Sequence, residues 1–112
     1  MKNFISLKNS REFGNVYKQG ISYVNKYLVM YVLENGLKEN RIGISVSKKV
    51  GNSVVRHRVT RLIRESYRLN KYQMKQGFDI VFVARVNAKE CNYQKIERAM
   101  LHLASLQKVV VE

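Results

Sequence analysis

The chain has 112 residues, 46% of them apolar and 26% charged, enough for one hydrophobic core and too few for two. Lys and Arg number 21 against 8 acids, a net charge of +13, which favours nucleic acid or an anionic membrane surface as partner. The longest apolar run, Tyr27 to Leu33, is far short of the roughly 18 residues of a membrane span, and the single Cys91 excludes an internal disulfide and fits a reducing compartment.

In chain order, Met1 to Lys8 reads as a loose basic arm without the pattern of a secretory signal. Asn9 or Ser10 can cap a short helix, with Glu12 placed for a capping box from Asn9 and Gly20 as its stop. Phe13, Val16 and Tyr17 share a face of it, whose ordinary use is packing on a sheet. Ile21 to Leu33 is β-branched and aromatic and predicts strand. Period two puts Tyr27, Val29, Tyr31 and Leu33 on one face and Leu28, Met30 and Val32 on the other. Both faces are apolar, so the strand is covered on both sides, or covered on one and functional on the other. Asn25-Lys26 can divide the run in two, which leaves the parity of Tyr23 open. Glu34 to Asn40, with Gly36, is a polar turn. In Arg41 to Ser47, Ile42, Ile44 and Val46 point one way and Gly43, Ser45 and Ser47 the other, the small residues leaving room for something large.

The stretch Lys48 to Arg68 turns through Gly51-Asn52-Ser53 and then runs without a breaker. Val55, Val59, Leu62, Ile63 and Tyr67 recur at helical spacing. Val55, Val59, Leu62, Ile63 and Leu69 fall on one side; His57, Arg61, Arg64 and Arg68 gather opposite, with Arg56 and Arg58 at the margins. A charged helix face is usually just solvated. Solvated faces mix signs, however, because like charges at i, i+3 and i+4 repel. Between Arg41 and Arg68 there are eight Lys/Arg and one acid, Glu65. Such a cost without local compensation points to a polyanionic partner, nucleic acid above all.

Leu69 to Gln76 is polar and closes with Gly77. Phe78 to Arg85 predicts a fully buried strand, Asn87 to Asn92 a linker, and Asn92 the cap of a last helix. Its core stripe is Tyr93, Ile96, Met100, Leu103 and Leu106, with Glu97, Arg98 and His102 largely off it; His102 reads as a surface residue rather than a ligand. The predicted order is α-β-β-β-α-β-α, an α+β fold with a single four-stranded sheet and helices packed on it, in one domain over 1–112. A strand-helix-strand unit of parallel neighbours is right-handed by default.

No catalytic residue and no metal ligand set is expected. Metal-dependent nucleases cluster carboxylates, whereas Asp79 is the only aspartate and the glutamates are scattered. Cys and His lack metal-ligand spacing, and nothing brings His57 and His102 together. Binding groups are plentiful. Lys48 and Lys49 precede a helix N-terminus suited to phosphate, and Arg56 and Arg58 offer planar forks. Phe13, Tyr17 and Tyr31 are candidates for a platform on which unstacked RNA bases lie, though each alone reads first as core, and the platform matches that reading only together with the small-residue strand face and the neighbouring cations.

SVSKKVGNSVVRHRVTRLIRESYR, Ser45 to Arg68, closely resembles the signature of the bacterial ribonuclease P protein subunit. The resemblance extends to SREFGNVYKQG, YLVMYVL, FDIVFVAR and the final helix. It implies a subunit of an endoribonuclease whose catalyst is ribonuclease P RNA. Mg²⁺ would be held mainly by that RNA, and the bond cut would release the 5′ leader of precursor tRNA. It implies that Arg56, His57, Arg58, Arg61, Arg64 and Arg68 face the catalytic RNA. Phe13, Tyr17 and Tyr31 would hold the leader, with Lys48 and Lys49 at the cleft edge. It further implies a left-handed βαβ crossover against the default, a cytoplasmic location, and neither membrane nor obligate protein partner. His57 stands where the family usually has asparagine, and Thr60 where a basic residue is common. A general RNA-binding or ribosome-assembly protein would share the charge and fold but not the Ser45 to Arg68 signature.

Overall fold

Three asparagines start the three helices. Asn9 Oδ1 accepts the N–H of Glu12 at 2.9 Å, Asn52 that of Val55 at 3.0 Å and Asn92 that of Lys95 at 2.9 Å, satisfying donors that a helix cannot satisfy itself. The computed structural model describes residues 4–111, so Met1 to Asn3 of the expected arm lie outside the described residues. The elements are β1 (Ile5–Ser6), α1 (Ser10–Gln19), β2 (Ile21–Val24), β3 (Leu28–Glu34), β4 (Arg41–Ser45), α2 (Ser53–Asn70), β5 (Phe78–Ala84) and α3 (Tyr93–Leu106). Short 3-10 turns lie at Lys71–Gln73 and Val86–Glu90. Gly20 ends α1 through close approach rather than a left-handed backbone: a Cβ there would lie 2.6 Å from the Val16 carbonyl oxygen and 3.1 Å from that of Val32.

The sheet has five strands among the described residues, in the order β1-β4-β5-β3-β2, not the four expected. The extra strand comes from the supposed arm: Ile5 pairs with Arg41 and Ser6 with Ile42, parallel, at the sheet edge. Two residues give too little alternation to be seen as a strand in sequence. The observed order is therefore β-α-β-β-β-α-β-α. β4 and β5 are parallel neighbours joined through α2, while β3 pairs antiparallel with both β5 and β2.

Register sorts the side chains into two faces. Met30, Phe82 and Ile44 form one row, and with Leu28, Ile42 and Ile80 they are covered by Val59, Ile63 and Tyr67 of α2 and Ile96, Met100 and Leu103 of α3. Each large side chain fully buried here contributes about 1.5–3 kcal/mol. Tyr23 pairs with Met30 and so belongs to this face. The opposite face carries the row Tyr31, Val81, Gly43 and the next row Val29, Val83, Ser45. α1 covers only part of it, through Val16 and Phe13.

Two expected core leucines are outside. Leu69 is 52% and Leu106 41% exposed, while Ser66 and Asn70 of α2 are buried. Polar groups with internal partners turned the buried arc of α2. Asn70 Nδ2 donates to Ser66 O and Glu97 Oε2, both at 2.8 Å, and the Tyr67 hydroxyl accepts from Asn40 Nδ2 at 3.1 Å. Hydropathy scores such residues as surface.

Candidate nucleic-acid interface

α2 leaves its turn under tight constraint: a Cβ at Gly51 would lie 2.9 Å from the Val55 side chain. With Val59 and Ile63 facing the sheet, the period places His57 and Arg61 in solvent and Arg64 half-buried. Arg61 and Arg64 form no ion pair among the described residues. Arg68 differs: its Nε donates to Glu65 Oε2 at 3.1 Å and its Nη2 to Glu65 Oε1. That guanidinium holds the Glu65 carboxyl below its usual range. Arg58 reaches across to α3's approach, Nη1 donating to the Cys91 carbonyl at 2.9 Å and Nη2 to that of Lys89. Arg56 has a buried Nε without a hydrogen-bond partner among the described residues, a costly state for a donor.

On the other side of the sheet, the Phe13 ring lies over Gly43, where a Cβ would come within 2.7 Å of it. The room expected beside the small residues of β4 is thus taken first by the chain's own phenylalanine. From there the aromatics run outward: Phe13 to Tyr17 at 6.4 Å between centroids, then Tyr17 to Tyr31, edge to face, at 4.9 Å. Tyr17 is 39% exposed, and Tyr31, Val29, Val83 and Ser45 are half-buried. α1 and the uncovered rows of the sheet therefore frame an open cleft with an apolar floor and an aromatic wall. Lys48 and Lys49 are exposed in the turn after β4, and a cavity of about 290 Å³ between that turn and the end of β5 is lined by Ser47, Lys49 and Arg85 among others. The structure thus brings Phe13, Tyr17 and Tyr31 together, sets Lys48 and Lys49 beyond β4, and leaves the α2 cations on the opposite side of the sheet from α1.

Two of the acids are engaged elsewhere. Asp79 and Glu12 bind Arg41, an arrangement sequence reasoning missed because it joins α1 to two strands. No cluster of three or more His, Cys, Asp or Glu suited to a metal occurs among the described residues. Cys91 is buried, and burial pushes its thiol above the usual range. No helix among the described residues is long and apolar enough to cross a membrane.

The Ribonuclease P family model matches residues 1–108. The ribonuclease P protein component of Lachnoclostridium phytofermentans is 65% identical over 105 residues, covering 94% of this chain and 90% of the relative. That of Alkaliphilus metalliredigens is 54% identical over 104 residues, covering 93% and 94%. Among solved structures, the RNase P protein of Staphylococcus aureus superposes with a TM-score of 0.86 at 34% identity, covering 95% and 97% of the two chains. The Thermotoga maritima protein gives 0.83 at 30%, covering 90% and 96%. A helix whose Arg61 and Arg64 form no ion pair among the described residues, a cleft walled by aromatics and a match running nearly end to end agree, and the chain belongs to the ribonuclease P protein family.

Proposed function

We propose that this chain, as the protein component of ribonuclease P, holds the enzyme's RNA with the cationic face of α2 and the 5′ leader of precursor tRNA in the cleft beneath α1. It works with the RNA subunit as part of an endoribonuclease, and the RNA performs the cleavage. The observation that carries the reading is the placement of a cationic helix face and an aromatic cleft on opposite sides of one sheet. Arg61 and Arg64 lack counter-ions among the described residues, and Phe13, Tyr17 and Tyr31 form a continuous wall beside an apolar floor. Arginines that neutralise phosphates release counterions, which offsets the repulsion of bringing two RNAs together. Bases stacked on tyrosines add about 1–3 kcal/mol each, available only to a substrate that still carries a leader.

Mg²⁺ asks for carboxylate oxygens, and no group of three or more His, Cys, Asp or Glu that could hold it occurs among the described residues. Both oxygens of Asp79 are taken by Arg41, those of Glu12 by Arg41 and the Lys8 N–H, and those of Glu65 by Arg68. In this reading the ion is held mainly by the RNA partner. The whole chain acts as one RNA-binding domain in the reducing cytoplasm, with the left-handed β4-α2-β5 crossover that its family resemblance implies.

Single-turnover cleavage of precursor tRNA by the protein, the ribonuclease P RNA and the two together tests this. Cleavage is expected only where the RNA is present, and faster with the protein at moderate salt. Metal-dependent cleavage by the protein alone would overturn it.

A further inference from the structure

A second cluster of cations lies where the β2–β3 turn meets α3; of the α2 arginines, Arg58 comes nearest, donating to the Cys91 and Lys89 carbonyls, and it acts with Lys26 and Lys95 on the Cys91 thiol. α2 packs on β4, and α3 on β3 and β2; in the strand order, β4 and β2 are three spacings apart, about 14 Å. The turn between β2 and β3 meets the side of α3 where Lys95, Arg98 and His102 recur, and between them is a cavity of about 320 Å³, to which the turn adds Lys26. Among the described residues no carboxylate lines it. Glu97 is turned away, accepting from Asn70 and from the Tyr93 hydroxyl, both at 2.8 Å.

Asn25 fixes the donor pattern of this cavity. Its Oδ1 accepts the N–H groups of Tyr27 at 3.2 Å and Leu28 at 3.1 Å, so the amide has one orientation. Its Nδ2 then faces the Ala99 carbonyl at 3.0 Å and His102 Nδ1 at 3.2 Å. His102 accepts at Nδ1, which leaves its ring N–H on Nε2 as a donor at the cavity wall. The helix itself repeats the imbalance of α2. α1 has Glu12 in its first turn and Lys18 in its last, as the helix dipole favours. α2 and α3 have no acid in the first turn, and α3 places Lys95 there, the wrong sign for the dipole unless an anion sits beside it. Tyr27, with Lys26 Nζ 5.5 Å from its ring centroid, supplies a flat wall of the size of a base.

We propose that the cavity between the β2–β3 turn and α3 binds a phosphodiester of RNA, the adjoining base lying against Tyr27. The chain then has a third RNA contact besides α2 and the aromatic cleft. The proposal rests on the reading of this chain as an RNA-holding component but concerns a separate surface.

The test uses the full chain and measures binding to purified ribonuclease P RNA, and separately to precursor tRNA, across a KCl series. Lys95→Ala/Arg98→Ala, both exposed positions, is expected to reduce the slope of log affinity against log salt by about 1, the share of one phosphate. The charge-matched Lys38→Ala/Lys75→Ala is expected to leave it unchanged. A drop with ribonuclease P RNA assigns the phosphodiester to that RNA, and a drop confined to precursor tRNA assigns it to the substrate. If Lys95→Ala/Arg98→Ala behaves as the charge-matched pair while Arg61→Ala/Arg64→Ala flattens the slope, this site is refuted and the reading of α2 stands. No change in any variant would overturn both.

Discussion

Arg41 and Asp79 are register partners on β4 and β5, and the guanidinium spans the carboxylate, Nε to Oδ1 at 2.8 Å and Nη2 to Oδ2 at 2.6 Å. The remaining nitrogen, Nη1, donates to Glu12 Oε2 in the first turn of α1 at 3.0 Å. One arginine thereby pins the helix that carries Phe13 and Tyr17 to the strands that carry Gly43 and Val81. Arg41→Ala leaves Asp79 buried without its charge partner, and a loss of about 2–4 kcal/mol is expected in urea unfolding. Glu12→Gln, at a more exposed position, is expected to cost about 1 kcal/mol or less.

Acid should release the same clamp. Burial pushes the Asp79 carboxyl up, but hydrogen bonds from Arg41 and Asn35 outweigh it and hold the group below its usual range. A carboxyl depressed in the folded state stabilises above its unfolded pKa and loses that contribution as pH falls through the folded value. Melting temperature should therefore drop below about pH 4. In Asp79→Asn the baseline is lower and the acid-side decline shallower; an equally steep decline would show that other carboxyls carry it.

Arginines on α2 should separate by role. Arg58 ties the helix to the Cys91 and Lys89 carbonyls, so Arg58→Ala is expected to cost about 1–3 kcal/mol of stability as well as RNA affinity. Arg61→Ala should leave the melting temperature within error while lowering the salt slope of RNA binding by about 1. Equal melting shifts for both would contradict the assignment of Arg58 to a double task.

The aromatic wall offers a paired test. Tyr31→Ala should weaken binding of leader-bearing precursor by about 1–3 kcal/mol, the worth of one stacked base, and leave mature tRNA unaffected. Gly43→Ala places a methyl against the Phe13 ring and is expected to cost about 1–3 kcal/mol of stability by overpacking. Equal losses for precursor and mature tRNA in Tyr31→Ala would make that tyrosine a packing residue only.

Helical period alone makes the cationic face of α2 legible, because it sets Val59 and Ile63 against Arg61 and Arg64. Period two likewise separates Tyr31 from Met30. Which face of the sheet α1 covers is not written in either pattern, so the meeting of Tyr17 with Tyr31 follows from the family resemblance rather than from spacing. The Arg41–Asp79 pair spans 38 positions and depends on the β4–β5 register, which no local pattern encodes. Arg98 and His102 read, with Glu97, as ordinary residues off the core stripe, because the turn that completes their cavity is 74 positions away. β1 is too short to show a period, and Leu69 lost its place in the core to Asn70, a polar residue with buried partners.

Photocrosslinking from two single positions tests the division of labour most directly. Buried Cys91, with its thiol pushed up, reacts slowly, so an introduced exposed cysteine takes the probe. Gly14→Cys suits the cleft, since a Cβ there meets nothing within 4 Å and the residue lines a cavity with Phe13 and Tyr17; His57→Cys suits the exposed face of α2. In the assembled enzyme with precursor tRNA, the probe at position 14 is expected to mark the 5′ leader and the probe at position 57 the ribonuclease P RNA. Leader left unmarked from position 14, or the same RNA marked from both, would contradict the two-sided clamp.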